Sequence, residues 1–156
     1  MEPCDMLVNL THLPEIPSVE GVKIKAALAC NKAQIMEFIR ERWGDGWCGE
    51  AEKALLQQTP KLFIATEKGN IIGFACFDST ARDYFGPIGV DESCRGRKIG
   101  EALLLRTLHA MRDYGYGYAI IGDVGDAHGF YEKIAGASFI PGGTMENTVY
   151  SNLASM

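Results

Sequence analysis

The sequence has no long uninterrupted run of apolar residues. Its longest segment without a charged side chain, residues 134–145, is broken by glycine and proline. A membrane-spanning helix needs roughly 20 consecutive apolar residues, so we expect neither such a helix nor a membrane partner. Residues 1–16 also lack the basic stretch that opens a secretory signal. These absences predict a cytoplasmic protein.

The sequence also lacks closely paired cysteines and any excess of positive charge. Its five cysteines include no C-x-x-C pair, which argues against structural zinc or a disulfide framework, and we expect no metal. Asp and Glu outnumber Lys and Arg by 20 to 15, for a formal net charge of -5. Proteins that bind duplex nucleic acid need a positive surface to displace counterions, so we expect no nucleic-acid partner. The exception is a local cluster at Arg95, Arg97 and Lys98.

What the chain does have is the length and balance of one globular domain. Its 156 residues, 47% of them hydrophobic and 22% charged, are enough to bury one sizeable core. Pro3, Pro14 and Pro17 punctuate the start of the chain. We therefore predict residues 1–20 as an arm or a first strand, and residues 21–156 as the domain.

Hydrophobic spacing after residue 20 predicts strands and helices in a mixed α/β order. The predicted strands cover residues 22–25, 62–66, 71–77, 84–90, 118–122, 138–140 and 148–151. The first predicted helix carries Ile35, Phe38, Ile39 and Trp43 behind a possible Asn31 cap, and the other predicted helices cover about residues 50–58, 99–114 and 126–135. Gly86 and Pro87 fall inside one predicted strand. Because proline cannot donate to a strand ladder, we expect a bulge or splay there that leaves N–H groups free for a ligand.

The sharpest signal lies at residues 95–100. They read Arg95-Gly96-Arg97-Lys98-Ile99-Gly100, follow a predicted strand and open a long predicted helix. Free N–H groups at a helix start, with the positive end of the helix dipole, favour an anion. The segment matches neither G-x-x-x-x-G-K-[ST] nor G-x-G-x-x-G. We expect it to bind a pyrophosphate.

This segment resembles the acyl-CoA-binding loop of the GNAT superfamily of N-acetyltransferases. The family's loop usually appears as R-G-x-G-I-G-x-x-L, and residues 95–103 here are R-G-R-K-I-G-E-A-L. Residues 130–134, F-Y-E-K-I, are similar to the family's F-Y-E-K-L segment. The likeness covers about residues 22–150. It departs at Val124, where the family often has asparagine, and at Lys98, where it usually has glycine.

Lys98 is the departure that bears on the loop. Only a positive φ would demand glycine there. We expect a helical backbone at this position, so that lysine still offers its N–H and adds positive charge for a phosphate. The affinity for the ligand could move in either direction.

The resemblance implies a fold, a co-substrate and a reaction. The fold is a GNAT-like α/β one, whose central, mostly antiparallel sheet is splayed between the fourth and fifth strands and flanked by about four helices. The co-substrate is acetyl-CoA, whose acetyl group passes by direct attack to a primary amine of a small molecule or peptide. The residues implied in binding it are Ile88, Gly89, Val90, Arg95, Gly96, Arg97, Lys98, Ile99, Gly100 and Tyr131.

Tyr131 occupies the family's general-acid position. A phenol with a pKa of about 10 is protonated at neutral pH and can give its proton to a thiolate. The general base is less sharply marked. Asp83, near the start of the predicted strand 84–90, is our candidate because many family members place a catalytic carboxylate there; the alternative is a turn aspartate. Asp123 and Glu50 are further candidates.

Other features leave alternatives open. Trp43 and Trp47 lie in a glycine-rich connection between the first two predicted helices, where they either form an aromatic wall for the acceptor or pack against the core. An alternative function is a catalytically silent acyl-CoA sensor or interaction module with the same fold. We hold homodimerisation, through the first 20 residues or the last strand, as a hypothesis.

Overall fold

The computed structural model describes residues 2–154, which build a sheet with helices on both sides. In this part of the chain the strands are β1 (Met6–Asn9), β2 (Val22–Ala26), β3 (Leu62–Glu67), β4 (Asn70–Phe77), β5 (Tyr84–Val90), β6 (Tyr118–Ile121) and β7 (Ser138–Phe139). The α-helices are α1 (Lys32–Trp43), α2 (Asp45–Leu55), α3 (Ile99–Asp113) and α4 (His128–Ala135). The sheet order is β2-β3-β4-β5-β6-β1-β7, with β5 and β6 parallel and the other pairs antiparallel. The predicted mixed, mostly antiparallel sheet is confirmed.

Helices on both faces explain why the central strands are apolar at nearly every position. In β3, Leu62 and Ile64 belong to the core under α1 and α2, whereas Phe63 and Ala65 belong to the core under α3. Because successive side chains point to opposite faces, a strand covered on both sides needs apolar residues at every position. Within residues 2–154, no helix is both long and hydrophobic enough to cross a membrane.

β5 and β6 separate after a short contact. They pair at Tyr84 and Phe85, opposite Ile120 and Ile121. On its other edge β5 stays paired with β4, but the register shifts so that two β5 residues, Gly86 and Pro87, face one residue of β4. The predicted bulge and splay are therefore confirmed. Beyond Phe85, the β6-facing edge of β5 has no strand partner in the described residues.

The segment before residue 20 contributes a strand to the interior of the sheet. β1 lies between β6 and β7, and its Met6 and Val8 side chains are fully buried. Because Met6 at the start of β1 pairs with Ile121 at the end of β6, the residues just before β1 lie beside the carboxyl end of β6.

The predicted connection between the first two helices is wrong. Gly44, with a φ of 91°, ends α1, and α2 begins at Asp45, so Trp47 is helical and not part of a loop. Burial of Cys48 and Ala51 against the sheet holds this glycine-containing segment in a helix, because packing of an apolar face outweighs low helix propensity.

The predicted last strand is also wrong. Residues 149–152 form a short 3-10 helix (Val149–Asn152). The Ser151 N–H and Oγ–H both donate to the Thr148 carbonyl, at 3.1 and 2.9 Å, so local bonds replace a sheet ladder. This helix brings Tyr150 against the end of β6. Residues 125–127 likewise form a 3-10 turn (Gly125–Ala127), so that α4 starts at His128.

Candidate functional site

A cavity of about 960 Å³ opens where β5 and β6 separate. Its floor is β5 from Phe85 to Val90, and one end is formed by the loop and first turn of α3. The end of β6 and α4 form one wall. Trp43 lies over the β5 backbone at Gly89, and Trp47 and Glu50 line the cavity away from the loop. One continuous site therefore joins the loop to the unpaired edge of β5.

The middle of the cavity is shaped by Gly89. A Cβ atom placed on this residue would lie 2.4–2.8 Å from three ring atoms of Trp43. Trp43 therefore lies directly on the β5 backbone, and glycine is required for that contact. Trp43 also packs against Phe74 and Trp47, at ring-centroid distances of 5.4 and 5.7 Å. The two tryptophans thus both pack on the core and line the cavity.

The loop presents backbone N–H groups to the cavity. The first helical hydrogen bond of α3 runs from the Ala102 N–H to the Lys98 carbonyl, at 3.0 Å. The N–H groups of Ile99, Gly100 and Glu101, which precede it, have no partner within the helix. These residues line the cavity, and their binding of an anion stays a prediction.

The expected helical backbone at Lys98 is wrong. Lys98 has φ 67° and ψ 17°, in the left-handed region, and is the N-cap residue of α3. The chain must reverse between Gly96, whose φ is 82°, and the start of the helix, which forces the conformation that glycine adopts without strain. Lysine at this position therefore adds a charge at the expense of backbone strain.

The loop cations do not all face the cavity. Arg95 and Lys98 line it, joined by Lys133 from α4, a cation that the sequence pattern did not single out. Arg97 instead forms a two-fold ion pair with Glu67 at the end of β3, with Nη1 donating to Oε1 at 3.1 Å. Its guanidinium holds the pKa of Glu67 below the usual range. Arg97 therefore anchors the loop to the β3–β4 hairpin.

A second ion pair fixes the entry to the loop. Arg42 Nε donates to Asp91 Oδ2 at 2.7 Å, and Asp91 Oδ1 accepts from the Ser93 N–H and Oγ–H at 3.0 and 2.5 Å. The hydrogen bonds from Ser93, with those from Arg42, lower the pKa of Asp91 to about 2. The carboxylate therefore ties α1 to the segment between β5 and α3 throughout the physiological range.

Tyr131 lies on the α4 wall of the cavity and is 6% exposed. Its ring packs edge-on against Phe85 and Phe130, at centroid distances of 6.1 and 5.3 Å. Burial raises the pKa of the phenol to about 12, because a low-dielectric environment disfavours the phenolate. The group therefore stays protonated at neutral pH, as a proton donor must.

Asp83 is not brought to the cavity. Its backbone has a φ of 68°, and its N–H donates to Asp78 Oδ1 at 2.7 Å. Asp83 Oδ1 is buried and has no hydrogen-bond partner in the described residues. Burial, with the neighbouring Asp78 charge, raises the pKa of Asp83 to about 6. Its role as general base stays a prediction, and the other candidates, Glu50 and Asp123, both line the cavity.

The end of the cavity opposite the loop contains a residue that sequence reasoning missed. Tyr150 lines this end, and its hydroxyl lies so close to Gly122 that a Cβ there would be 2.2 Å from the oxygen. Burial and the charges of nearby carboxylates, Asp5 first, raise its pKa. Glu50 also lies here and accepts a hydrogen bond from Thr80 Oγ1. No spacing pattern marks Tyr150; only the glycine at the end of β6 hints at a close neighbour.

The histidines of α3 and α4 have structural partners. His128 contacts Glu132 at 3.0 Å, and His109 contacts the Pro14 carbonyl at 2.7 Å. No three His, Cys, Asp or Glu side chains of residues 2–154 converge as a metal site requires.

Comparison with known proteins identifies the family of this site. The model of the acetyltransferase (GNAT) family matches residues 31–137, which include β5, the loop, α3 and Tyr131. No curated protein matches the sequence.

Solved structures share the fold. A GCN5-related N-acetyltransferase from Sphaerobacter thermophilus superposes with a TM-score of 0.71 at 21% identity, over 89% of this chain and 50% of that one. A GCN5-related N-acetyltransferase from Kribbella flavida superposes with a TM-score of 0.60 at 15% identity, over 88% of this chain and 54% of that one. AAC(6')-Iy, in complex with the bisubstrate analogue CoA-S-monomethyl-acetylneamine, superposes with a TM-score of 0.57 at 16% identity, over 72% of this chain and 88% of that one. The chain spans about half the length of the first two proteins.

Proposed function

We propose, since the chain belongs to the acetyltransferase (GNAT) family, that it is an acyl-CoA-dependent N-acyltransferase. It would move an acetyl group from acetyl-CoA to a primary amine of a small molecule or peptide by direct attack. The observation that carries this proposal is the continuity of the cavity, in which the free N–H groups of the loop, the unpaired edge of β5 and the Tyr131 phenol line one space. Members of the family are generally acetyltransferases, which supports the reaction class.

The residues present fit an acyl-CoA. The N–H groups at the start of α3, with Arg95 and Lys98, offer donors and positive charge to a pyrophosphate. The unpaired edge of β5 at Ile88 and Val90 offers backbone groups to an extended amide-containing arm. When bound, acetyl-CoA supplies an activated acyl group at the end of that arm.

Two groups of the chain would act on the reacting thioester. A β5 N–H near Ile88 or Gly89 would polarise the carbonyl and stabilise the negative charge that develops on its oxygen. Tyr131, kept protonated by burial, would give its proton to the departing sulfur.

Proton removal from the amine falls to a carboxylate that reaches the cavity. Glu50 and Asp123 both line it, whereas Asp83 does not. We therefore place these two carboxylates ahead of Asp83 as acceptors of the amine proton. Glu50→Gln and Asp123→Asn, assayed for kcat across a pH range, distinguish them: loss of the base abolishes the acidic limb of the pH profile.

Titration calorimetry with acetyl-CoA and with CoA tests the cofactor end. Arg95→Gln and Lys98→Gln should each weaken CoA binding by about tenfold, since each removes a charge-assisted contact worth about 1.5 kcal/mol. Arg97→Gln should weaken it by less than about threefold, because this side chain is paired with Glu67 outside the cavity. Lys23→Gln, an exposed position on β2, is the charge-matched control. Equal losses in all four variants would refute the assignment.

A thiol-release assay with a panel of amines tests the chemistry. Tyr131→Phe should lower kcat by about a hundredfold or more while the Kd for CoA stays within about twofold, because the ring and its packing are kept. Binding of acetyl-CoA without turnover of any amine would instead support the alternative, a sensor or interaction module with this fold.

A further inference from the structure

A buried carboxylate lies beneath the acceptor end of the cavity. Asp5 is 1% exposed, and no Lys, Arg or His of residues 2–154 pairs with it. Its oxygens accept from the Asp123 N–H at 3.0 Å, the Tyr84 hydroxyl at 3.1 Å and the Cys4 thiol at 3.3 Å. In each of these contacts an oxygen of Asp5 is the acceptor.

The backbone around Asp5 is fixed from both sides. The Cys4 N–H donates to the Gly143 carbonyl at 2.7 Å, and the Ile140 N–H donates to the Asp5 carbonyl at 2.9 Å. On the other side, the Val124 N–H donates to the Cys4 carbonyl at 2.9 Å. These bonds hold the carboxylate at the end of β6, in a segment that precedes the residues matched by the family model.

The carboxylate is coupled to the cavity through its neighbours. Asp123, whose N–H it accepts, lines the cavity in a left-handed backbone with a φ of 46°. Tyr84 packs edge-on against Tyr150, with ring centroids 6.5 Å apart. The Asp5 charge contributes, after burial, to the raised pKa of Tyr84, about 12. The cavity lining includes the carboxylates Glu50 and Asp123 and the aromatic residues Trp47 and Tyr150. Two of the cations that line it, Arg95 and Lys98, belong to the loop, and the third, Lys133, lies on α4.

We propose that Asp5 is a positioning residue for the acceptor: it holds the Asp123 peptide at the end of β6, and its buried charge, with those of Glu50 and Asp123, makes this end of the cavity select a cationic amine. This inference rests on the proposed function for the meaning of "acceptor". An ion pair would cancel the field of a buried charge, and Asp5 has none in the described residues. The aromatic faces of Trp47 and Tyr150 add a second attraction for a cation.

A matched pair of probes separates charge from shape. The dication 1,8-diaminooctane and the neutral 1,8-octanediol have the same chain length, and their Kd values are measured by ligand-observed NMR with CoA present. Wild-type protein should bind the diamine at least about tenfold more tightly than the diol. Asp5→Asn removes the charge but keeps an oxygen that accepts from the Asp123 N–H, and it should reduce that ratio by about fivefold or more.

Two controls make the result specific. Cys4→Ser keeps the buried charge and should leave the ratio within about twofold of wild type. Asp5→Ser, which is smaller and also uncharged, replaces Asp5→Asn if the latter fails to unfold cooperatively. The inference would be overturned if the ratio of diol Kd to diamine Kd were unchanged in Asp5→Asn, or if both probes lost affinity equally.

The two proposals fail separately. Acetyl-CoA binding is measured on every variant, and we expect it to stay within about twofold of wild type, since Asp5 does not line the cavity. Absence of acetyl-CoA binding in wild type would overturn the proposed function while the probe ratio still tests Asp5. Tight acetyl-CoA binding with no preference for the diamine would overturn the inference alone.

Discussion

Replacing Asp83 by asparagine should stabilise the protein at neutral pH and not at acid pH. Burial and the Asp78 charge raise the pKa of Asp83 from 3.8 to about 6. Between about pH 4 and pH 6 the folded protein therefore holds a proton that the unfolded chain has released. Stability falls as pH rises through that window, and above it the full cost of ionising Asp83 persists.

The magnitude follows from the size of the shift. About two pKa units correspond to about 3 kcal/mol, which is a ceiling, because the Asp83 side chain is only half-buried and solvent screens part of the interaction. We expect the free energy of unfolding of Asp83→Asn, relative to that of the wild type, to be about 1 kcal/mol higher at pH 7.5 than at pH 4. Asparagine also tolerates the left-handed backbone of this position.

Urea unfolding followed by tryptophan fluorescence provides the assay. Trp43 and Trp47 are partly buried in the core under α1 and α2, so their emission should report unfolding. Free energies of unfolding are measured for both proteins at pH 4.0, 5.0, 6.0 and 7.5. A difference between variant and wild type that is the same at every pH would refute the reasoning.

The same variant tests the predicted base role. An essential base would be lost in Asp83→Asn, and kcat would fall steeply. The position of Asp83 outside the cavity leads us to expect that turnover persists.

The remaining predictions concern strain, close contact and charge. Lys98→Gly should be about 1 kcal/mol more stable to urea than Lys98→Ala, because both remove the charge but only glycine relieves the left-handed backbone. Gly89→Ala should lower the free energy of unfolding by about 1–3 kcal/mol and change tryptophan emission, since its Cβ would collide with the Trp43 ring. In the structure Lys61 Nζ lies 2.7 Å from Asp78 Oδ2. Lys61→Met should lower the free energy of unfolding by about 3 kcal/mol, because it leaves the buried Asp78 carboxylate without a cation.

The Gly89 and Lys61 predictions each have a control within the chain. Gly46→Ala in α2 meets nothing within 4 Å and should be neutral or stabilising, so a loss equal to that of Gly89→Ala would contradict the role of the close contact. The loss in Lys61→Met should shrink when Asp78→Asn is added, because the double variant buries no unpaired charge. An additive loss would contradict that explanation.

The loop and its helix were predictable because their signals are local. The amphipathic spacing of α3 and the composition of residues 95–100 mark an anion-binding helix start without knowledge of the rest of the fold. The backbone conformation of Lys98 was not predictable in the same way. The lysine itself gives no sign of a positive φ, and only the glycine that the family usually has at this position points to one.

The sequence also did not predict which loop cations face the cavity and which one pairs with another residue. Arg95, Arg97 and Lys98 are equivalent by charge and spacing, yet Arg97 lies within reach of Glu67, a residue 30 positions earlier in the chain. The helical state of Trp47 depended on packing against the sheet, which outweighed the glycines on either side of it.

The sequence by itself determined the class of the fold, the order of its elements from β2 to β7, the splay beside Gly86 and Pro87, and the two motifs that mark the loop and Tyr131. These depend on period, composition and backbone chemistry over a few neighbouring residues. Tertiary structure alone decided that Glu50 and Asp123 line the cavity and that Asp5 lies behind Asp123. These residues come from separate elements, and Asp5 meets the end of β6 only because β1 enters the sheet beside that strand. Side-chain proximity across long chain separations depends on packing of the whole domain, and no local pattern encodes it.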